Sequence, residues 1–358
     1  LPKEKFRPFV IIDEKKGPLI DELKKSVDEI IEIKNQTGFF NRVFYLAGLY
    51  DFFKKNKIDI VQAHNDISVF FVFLAAIFSR VRILIYSQRH SGWLQSKKSK
   101  SSHGFWPVQL KKAIIGFVSR NWADLILVNS RDTKKQICSD YDVVNSKIHV
   151  IHNCIEIIDL MEDGDLVNFK NKNNIPEDKI IIGVVASLTK RKNISLLIHV
   201  AKKLKNEKLC FIVIGEGPER NILEEAIESS DLNNIFHLLG EKKNVTDWVQ
   251  SFDIAILPTL GEGFPNAILE YMTCGKPVIS TDIDGVSEIV LHQKTGLLVS
   301  PNDKEELYDA IIKLIRTDGL RKILGDNGRE HVRKEFRASK EIDRHIKIYE
   351  DSLIKCVV

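Results

Sequence analysis

A chain of 358 residues is too long for one ordinary hydrophobic core, so two domains are expected. With 44% hydrophobic and 28% charged residues, the composition is that of a folded globular protein and excludes an intrinsically disordered one. A net charge of +4 is too small to argue for nucleic-acid binding, and no motif that reads RNA or DNA is present.

In chain order, "RPFVIID" (Arg7–Asp13) reads as a strand, "GPLIDELKKS" as a helix and "VDEIIEI" as a second strand. A helix is expected over Arg42–Asn56, then the strand "IDIVQAH" (Ile58–His64). The apolar run Val69–Phe78 falls short of the ~18 residues a bilayer span needs and reads as a buried helix. The strand "VRILIYSQ" follows. The Lys- and Ser-rich stretch "SKKSKSSHG" (Ser96–Gly104), flanked by Trp93 and Trp106, reads as a loop, and Val108–Ala123 as a helix. "DLILVNS" (Asp124–Ser130) and "IHVIHN" (Ile148–Asn153) close the first alternation. From Asn153 to Asp178 the pattern breaks into polar, acidic and Asn-rich sequence, and the linker is placed near its start.

A second alternation begins with the strand "KIIIGVVAS" (Lys179–Ser187), the helix "SLLIHVAKKLKN", the strand "LCFIVIG" (Leu209–Gly215) and the helix "ERNILEEAIES". The strands "IFHLLG", "FDIAILP" (Phe252–Pro258), "PVIST" and "GLLVS" follow, and the tail from Lys304 is mostly helical. Strands alternating with helices imply two parallel, doubly wound sheets, residues 1–155 and 156–335, with 336–358 as a C-terminal helix packing back on the first. Ligands of such sheets bind beyond the carboxyl ends of the strands, so two facing halves make a cleft. Five scattered cysteines without a C-x-x-C pair indicate free thiols in a reducing, cytoplasmic setting and no zinc site. No secretory leader is read at the start. The chain opens at Leu1 inside what reads as a structural unit, so an N-terminal piece is expected to be absent.

The stretch "LGEGFPNAILEYMTCGKPVIS" carries the chemistry. A strand ends at Pro258, Pro265 suits a first helical turn, and Cys274-Gly275 suits its end. The free N–H groups of that helix make an anion site apt for phosphate, and Gly263 permits close backbone approach. Glu262 and Glu270 flank it, separated by ~12 Å if the whole interval is helical at 1.5 Å per residue. Such a spacing lets one acid hold hydroxyls at each end of a nucleotide sugar. Two bare glutamates at a helix start also serve simply as dipole-stabilising surface acids.

This block, with "GEGPERNILEEAI" and "GLLVSPND", resembles the signature of the retaining glycosyltransferases of family 4, over nearly all of Lys179–Asp303 and more loosely before it. The resemblance implies the GT-B fold, two Rossmann-like domains facing a cleft. It also implies transfer of a hexose from a nucleoside diphosphate sugar to a glycan or lipid-linked acceptor hydroxyl with retention. Glu262 would contact donor sugar hydroxyls and Glu270 the ribose, while Gly263, Phe264, Pro265, Asn266 and Ala267 would line the diphosphate and sugar. Lys192 matches a diphosphate-binding lysine. The family's arginine position is occupied by Ser187, and Lys190 or Arg191 is the candidate to supply that charge; a solvated basic turn is the competing reading. Gly215, Glu216 and Gly217 form a turn near the base, as does Leu239, although a lone G-x-G is also an ordinary tight turn. His90, with Arg89 beside it, is the candidate to face the donor sugar, His64 a weaker one.

No obligatory cofactor and no metal cluster are expected. The basic and aromatic residues of 93–122 fit an anionic membrane surface, and equally a solvated charge run beside a buried helix. Relative to the family, the first strand and glycine-rich loop are lacking, which a partner chain would supply. The competing functions are a GT-B sugar-nucleotide epimerase and a non-catalytic nucleotide-sugar-binding subunit.

Overall fold

The computed structural model describes residues 1–2, 4–12, 20–27, 29–33, 39–64, 68–89 and 108–355. His90 and the basic loop up to 107 lie outside these described residues.

The first half begins with β1 (Phe9–Ile12), α1 (Ile20–Ser26), β2 (Glu29–Glu32) and α2 (Phe39–Lys55). Then come β3 (Ile60–His64), α3 (Ser68–Phe78), β4 (Ile83–Gln88), α4 (Val108–Phe117), β5 (Leu125–Val128), α5 (Arg131–Tyr141) and β6 (Ile148–Val150). Among the described residues β1 and β2 form a parallel pair, and β3-β4-β5-β6 a separate parallel sheet in sequence order. β1 leans on α2 through Phe9 and Phe52, whose rings meet edge-on at 5.4 Å. Strand β4, "ILIYSQ", is buried over its first five residues, as expected of a parallel strand covered on both faces.

A helix absent from the sequence reading, α6 (Asp163–Lys172), occupies the polar stretch after the first half. Its buried content is nil, so its hydrophobic signal was weak, but Asp163 and Asp165 in its first turn and Lys170 and Lys172 in its last complement the helix dipole.

The second half contains β7 (Ile180–Val185), α7 (Ile194–Lys203), β8 (Leu209–Ile214), α8 (Arg220–Glu228), β9 (Phe236–Leu238) and α9 (Val245–Gln250). These are followed by β10 (Ile254–Leu257), α10 (Asn266–Thr273), β11 (Val278–Thr281) and β12 (Gly296–Val299). Its parallel sheet has the order β12-β11-β10-β7-β8-β9, so the direction of winding reverses between β7 and β10. The crevice at that switch point, beyond Val185 and Leu257, is where this architecture binds ligands. The core beneath it is tight: a Cβ on Gly183 would sit 2.0 Å from the Phe252 ring.

Helices α11 (Lys304–Arg316), α12 (Leu320–Glu335) and α13 (Ala338–Lys355) complete the chain. α13 crosses back: Ile348, Tyr349 and Leu353 pack on Ile83, Ile85 and Leu127 of the first sheet, and Tyr349 donates to Gln62 on β3. The helix expected over Val108–Ala123 is α-helical to Phe117 and then widens into a π-turn over Val118–Trp122, closed by the Ala123 N–H on the Val118 carbonyl. The wider turn accompanies Trp122 stacking on Phe70, centroids 5.2 Å apart. No helix among the described residues is long and apolar enough to cross a membrane.

Candidate functional site

Two loops leave the switch point side by side. From β7 the chain turns through Ala186–Thr189 into a 3-10 turn, Lys190–Lys192. From β10 it passes Thr259 into the loop that enters α10. The loops are zipped together: the Leu260 N–H donates to the Arg191 carbonyl (2.8 Å), and Arg191 Nη1 returns a bond to the Gly261 carbonyl (2.6 Å).

Between them stands Glu262. Its Oε1 receives Lys192 Nζ at 2.5 Å and Thr259 Oγ1 at 3.0 Å, and its Oε2 faces Arg191 Nη1 at 2.9 Å. The Lys192 and Glu262 side chains are only 13% and 10% exposed, so removing either partner would strand a desolvated charge. Arg191 is half exposed, and its contribution is smaller because solvent screens it.

α10 begins at Asn266, one residue later than Pro265 suggested, with extended Pro265 as its N-cap and Cys274-Gly275 (φ +68°) ending it. Its N-cap supplies no side-chain acceptor and its first turn carries no acid. The N–H groups of Asn266 and Ala267 have no acceptor among the described residues. Orphan donors of this kind at a helix N-terminus are groups that anions generally seek. Tyr271, fully buried, sets the depth of the helix: the Val185 N–H donates to its hydroxyl at 2.6 Å. Because Glu262 to Pro265 is loop, the fully helical spacing between the two glutamates does not hold. Glu270 sits one turn inside α10, half-buried, its carboxyl with no hydrogen bond or ion pair among the described residues, and burial raises its pKa.

Gly263 is required by the opposite half. A Cβ there would lie 2.6 Å from the Arg89 carbonyl and 3.2 Å from Asn129 Oδ1. Asn129, at the carboxyl end of β5 and 2% exposed, donates through Nδ2 to the Arg89 carbonyl (2.9 Å), while its Oδ1 has no partner among the described residues. Gly285 (φ +78°) closes the other side, where a Cβ would meet the Gly263 carbonyl at 2.0 Å. Phe264 is buried, its ring 5.0 Å from that of His152.

The remaining candidates are placed as follows. Ser187 is exposed at the end of β7. In the Gly215–Gly217 turn the close approach is to the chain's own loop: a Cβ on Gly215 would lie 2.0 Å from the Ala186 carbonyl, and one on Gly217 2.4 Å from that of Leu188. Glu216 pairs with Arg220 (3.1 Å), and the Leu239 N–H bonds the Val213 carbonyl. His64 ends β3 with its Nε2 3.4 Å from Gln62 Nε2, and desolvation by the surrounding protein, with the charges of Arg89 and His345, lowers its pKa to about 4, keeping it neutral near pH 7. The residues missed by the sequence reading are Thr259, Asn129, Asn153 and Glu288. Of these only Asn129 carried a signal, its place at a strand end facing the cleft. No group of three or more His, Cys, Asp or Glu side chains among the described residues is arranged to hold a metal.

The two sheets thus meet over a helix N-terminus without a side-chain cap, beside a carboxylate held by two cations. Residues 167–331 match the family described as glycosyl transferases group 1, and residues 1–157 match glycosyltransferase family 4. An uncharacterised glycosyltransferase of Methanocaldococcus jannaschii is 31% identical over 255 residues, 70% of this chain and 67% of that protein. The Escherichia coli UDP-Gal:alpha-D-GlcNAc-diphosphoundecaprenol alpha-1,3-galactosyltransferase is 26% identical, with 99% of this chain and 91% of that protein covered. Anabaena HepE, solved in complex with UDP, superposes with a TM-score of 0.84 at 18% identity over 96% of this chain and 92% of that one. The chain belongs to glycosyltransferase family 4 and has the GT-B fold.

Proposed function

We propose that this protein transfers a hexose from a nucleoside diphosphate sugar to a hydroxyl of a lipid-linked glycan, with retention at the anomeric carbon. The carrying observation is the convergence of Lys192 and Arg191 on Glu262 beside the open N-terminus of α10. An incoming diphosphate would take the N–H groups of Asn266 and Ala267 and draw the two cations toward itself. Glu262 would then be released to accept from sugar hydroxyls, and Glu270 would accept from the ribose. As the bond from the anomeric carbon to the diphosphate breaks, Lys192 and the helix N-terminus stabilise the charge that develops on the leaving oxygen. The acceptor oxygen bonds the same face of that carbon, and its proton passes to the departing phosphate. In this scheme the released Glu262 accepts from sugar hydroxyls and forms no bond to the anomeric carbon, so no covalent glycosyl-enzyme is formed.

UDP is the first donor base to test, because HepE is solved with UDP and with UDP-glucose and the E. coli relative is named for UDP-galactose. The lipid-linked acceptor follows the name of that same relative. Leu110 and Phe117, exposed on the outer face of α4, and exposed Arg120 after it suit the headgroup region of a bilayer. His90 stays a proposed sugar contact, and Ser187 and the 215–217 and 239 loops proposed walls of the base site.

The test is turnover of a panel of UDP- and other nucleoside diphosphate hexoses with undecaprenyl diphosphate glycans in detergent, with the product's anomeric configuration read by NMR. Glu262→Ala is expected to reduce transfer roughly 100-fold. Equal rates in both proteins would overturn the site, an inverted product would overturn retention, and nucleotide binding without turnover would favour a binding subunit.

A further inference from the structure

Two segments connect the halves, and they touch. The Ile155 N–H donates to the Phe336 carbonyl (3.0 Å) and the Ala338 N–H to the Ile155 carbonyl (3.1 Å), so the outgoing and returning chains form a small parallel bridge. The donor loop is fastened to this hinge. Asn153 Nδ2 donates to the Phe264 carbonyl at 2.9 Å and to Asn266 Oδ1 at 2.8 Å. Beside it the rings of His152, Phe264 and Phe336 meet pairwise, at 5.0, 5.6 and 5.5 Å. One ring comes from each hinge segment and one from the loop.

We infer that Asn153 is a positioning residue for the donor diphosphate: its side-chain amide holds the entry of α10 so that the Asn266 and Ala267 N–H groups face the anion. The inference rests on the reading of the site given above and goes beyond it, since Asn153 lies outside the loop it positions. The chemistry favours this over a general role in folding. Pro265 gives the helix no side-chain cap, so nothing within α10 itself orients its first turn. A primary amide donates two hydrogen bonds from one nitrogen without carrying a charge. Its two acceptors bracket Pro265, one on each side. Since the same residue belongs to the hinge, occupancy of the anion site and the angle between the halves are linked through it.

The test compares affinities for UDP and for uridine by calorimetry in the full chain. Asn153→Asp keeps the shape but sets a carboxylate against two oxygen acceptors. UDP affinity is expected to fall about tenfold or more, with uridine affinity unchanged within about twofold, since the phosphates alone feel the helix N-terminus. Asn266→Ala, at an exposed position, removes one acceptor and serves where Asn153→Asp does not fold. It is expected to weaken UDP less than Asn153→Ala does, and the double variant to be no weaker than Asn153→Ala alone. Undiminished UDP binding in the folded variants, or equal losses for UDP and uridine, would overturn the inference. Failure of the unaltered protein to bind any nucleoside diphosphate would instead overturn the functional reading beneath it.

Discussion

Glu262 and Glu270 show how two identical side chains acquire different states. Glu262 is neutralised by Lys192 and Arg191. Glu270 is buried beside the helix start without a partner among the described residues, and its pKa is raised by that burial above 4.5. A carboxyl whose pKa is higher folded than unfolded stabilises the fold below the unfolded value and loses that contribution as pH rises through the folded one. In the free protein Glu270→Gln is therefore expected to raise Tm relative to the parent increasingly as pH climbs above 4.5, measured by thermal melts across pH. The same variant should weaken nucleotide binding, because an amide accepts fewer ribose hydroxyl bonds than a carboxylate. Gly263 makes a second case. With the Arg89 carbonyl 2.6 Å from any added Cβ, Gly263→Ala must push the loop off the first half. A rise of about tenfold or more in donor KM is the expected result, read by initial-rate kinetics.

Among the elements, α10 and α11 make an instructive pair. α11 is capped by Asp303, whose Oδ1 accepts from the Glu305 and Glu306 N–H groups, both at 2.9 Å. α10 has proline in the equivalent place and keeps its first amides open. The capped helix has its first amides satisfied, and the uncapped one leaves them available to the proposed diphosphate. Asp303→Ala should accordingly cost about 1 kcal/mol in denaturant unfolding and leave donor KM unchanged.

At the scale of the molecule, closure depends on contacts made across the cleft. Glu288, next to the turn that supports Gly263, accepts from the Arg131 and Asp132 N–H groups at the start of α5 (2.7 and 3.3 Å) and lies 3.2 Å from His152 Nε2. Its carboxylate thus caps a helix of the opposite half, at only 14% side-chain exposure. Glu288→Ala removes charge-assisted bonds of a kind worth ~2 kcal/mol. The halves should open, seen as a larger radius of gyration in solution scattering and a lower transfer rate. An unchanged radius would place closure elsewhere. α13 adds a second tie, because Ile348 and Leu353 cover Ile83 and Leu127 of the first sheet.

Much of this was legible in the amino-acid sequence, because the responsible signals are local. Alternating apolar runs gave away the parallel strands, and Gly-Phe-Pro-Asn before an apolar helix marked the proposed anion site. The resemblance of that block named the family. Other features were not legible. α6 buries no residue fully and sets only Phe169 against Trp248, so it left no clear apolar stripe, and the π-turn after α4 depends on where Trp122 stacks. Thr259, Asn129, Asn153 and Glu288 are ordinary polar residues whose roles come from partners up to 157 positions away. Gly215 and Gly217, read as a tight turn or as neighbours of the base, stay proposed walls of the base site, and the folded chain also uses their missing side chains to seat its own 186–188 loop. Period and turn chemistry are written along the chain and determined the elements and the class of site. Which carboxylate is clamped, which helix end stays open and what ties the loop to the hinge required residues distant in sequence to be brought within a few ångströms, and only the tertiary structure decides that.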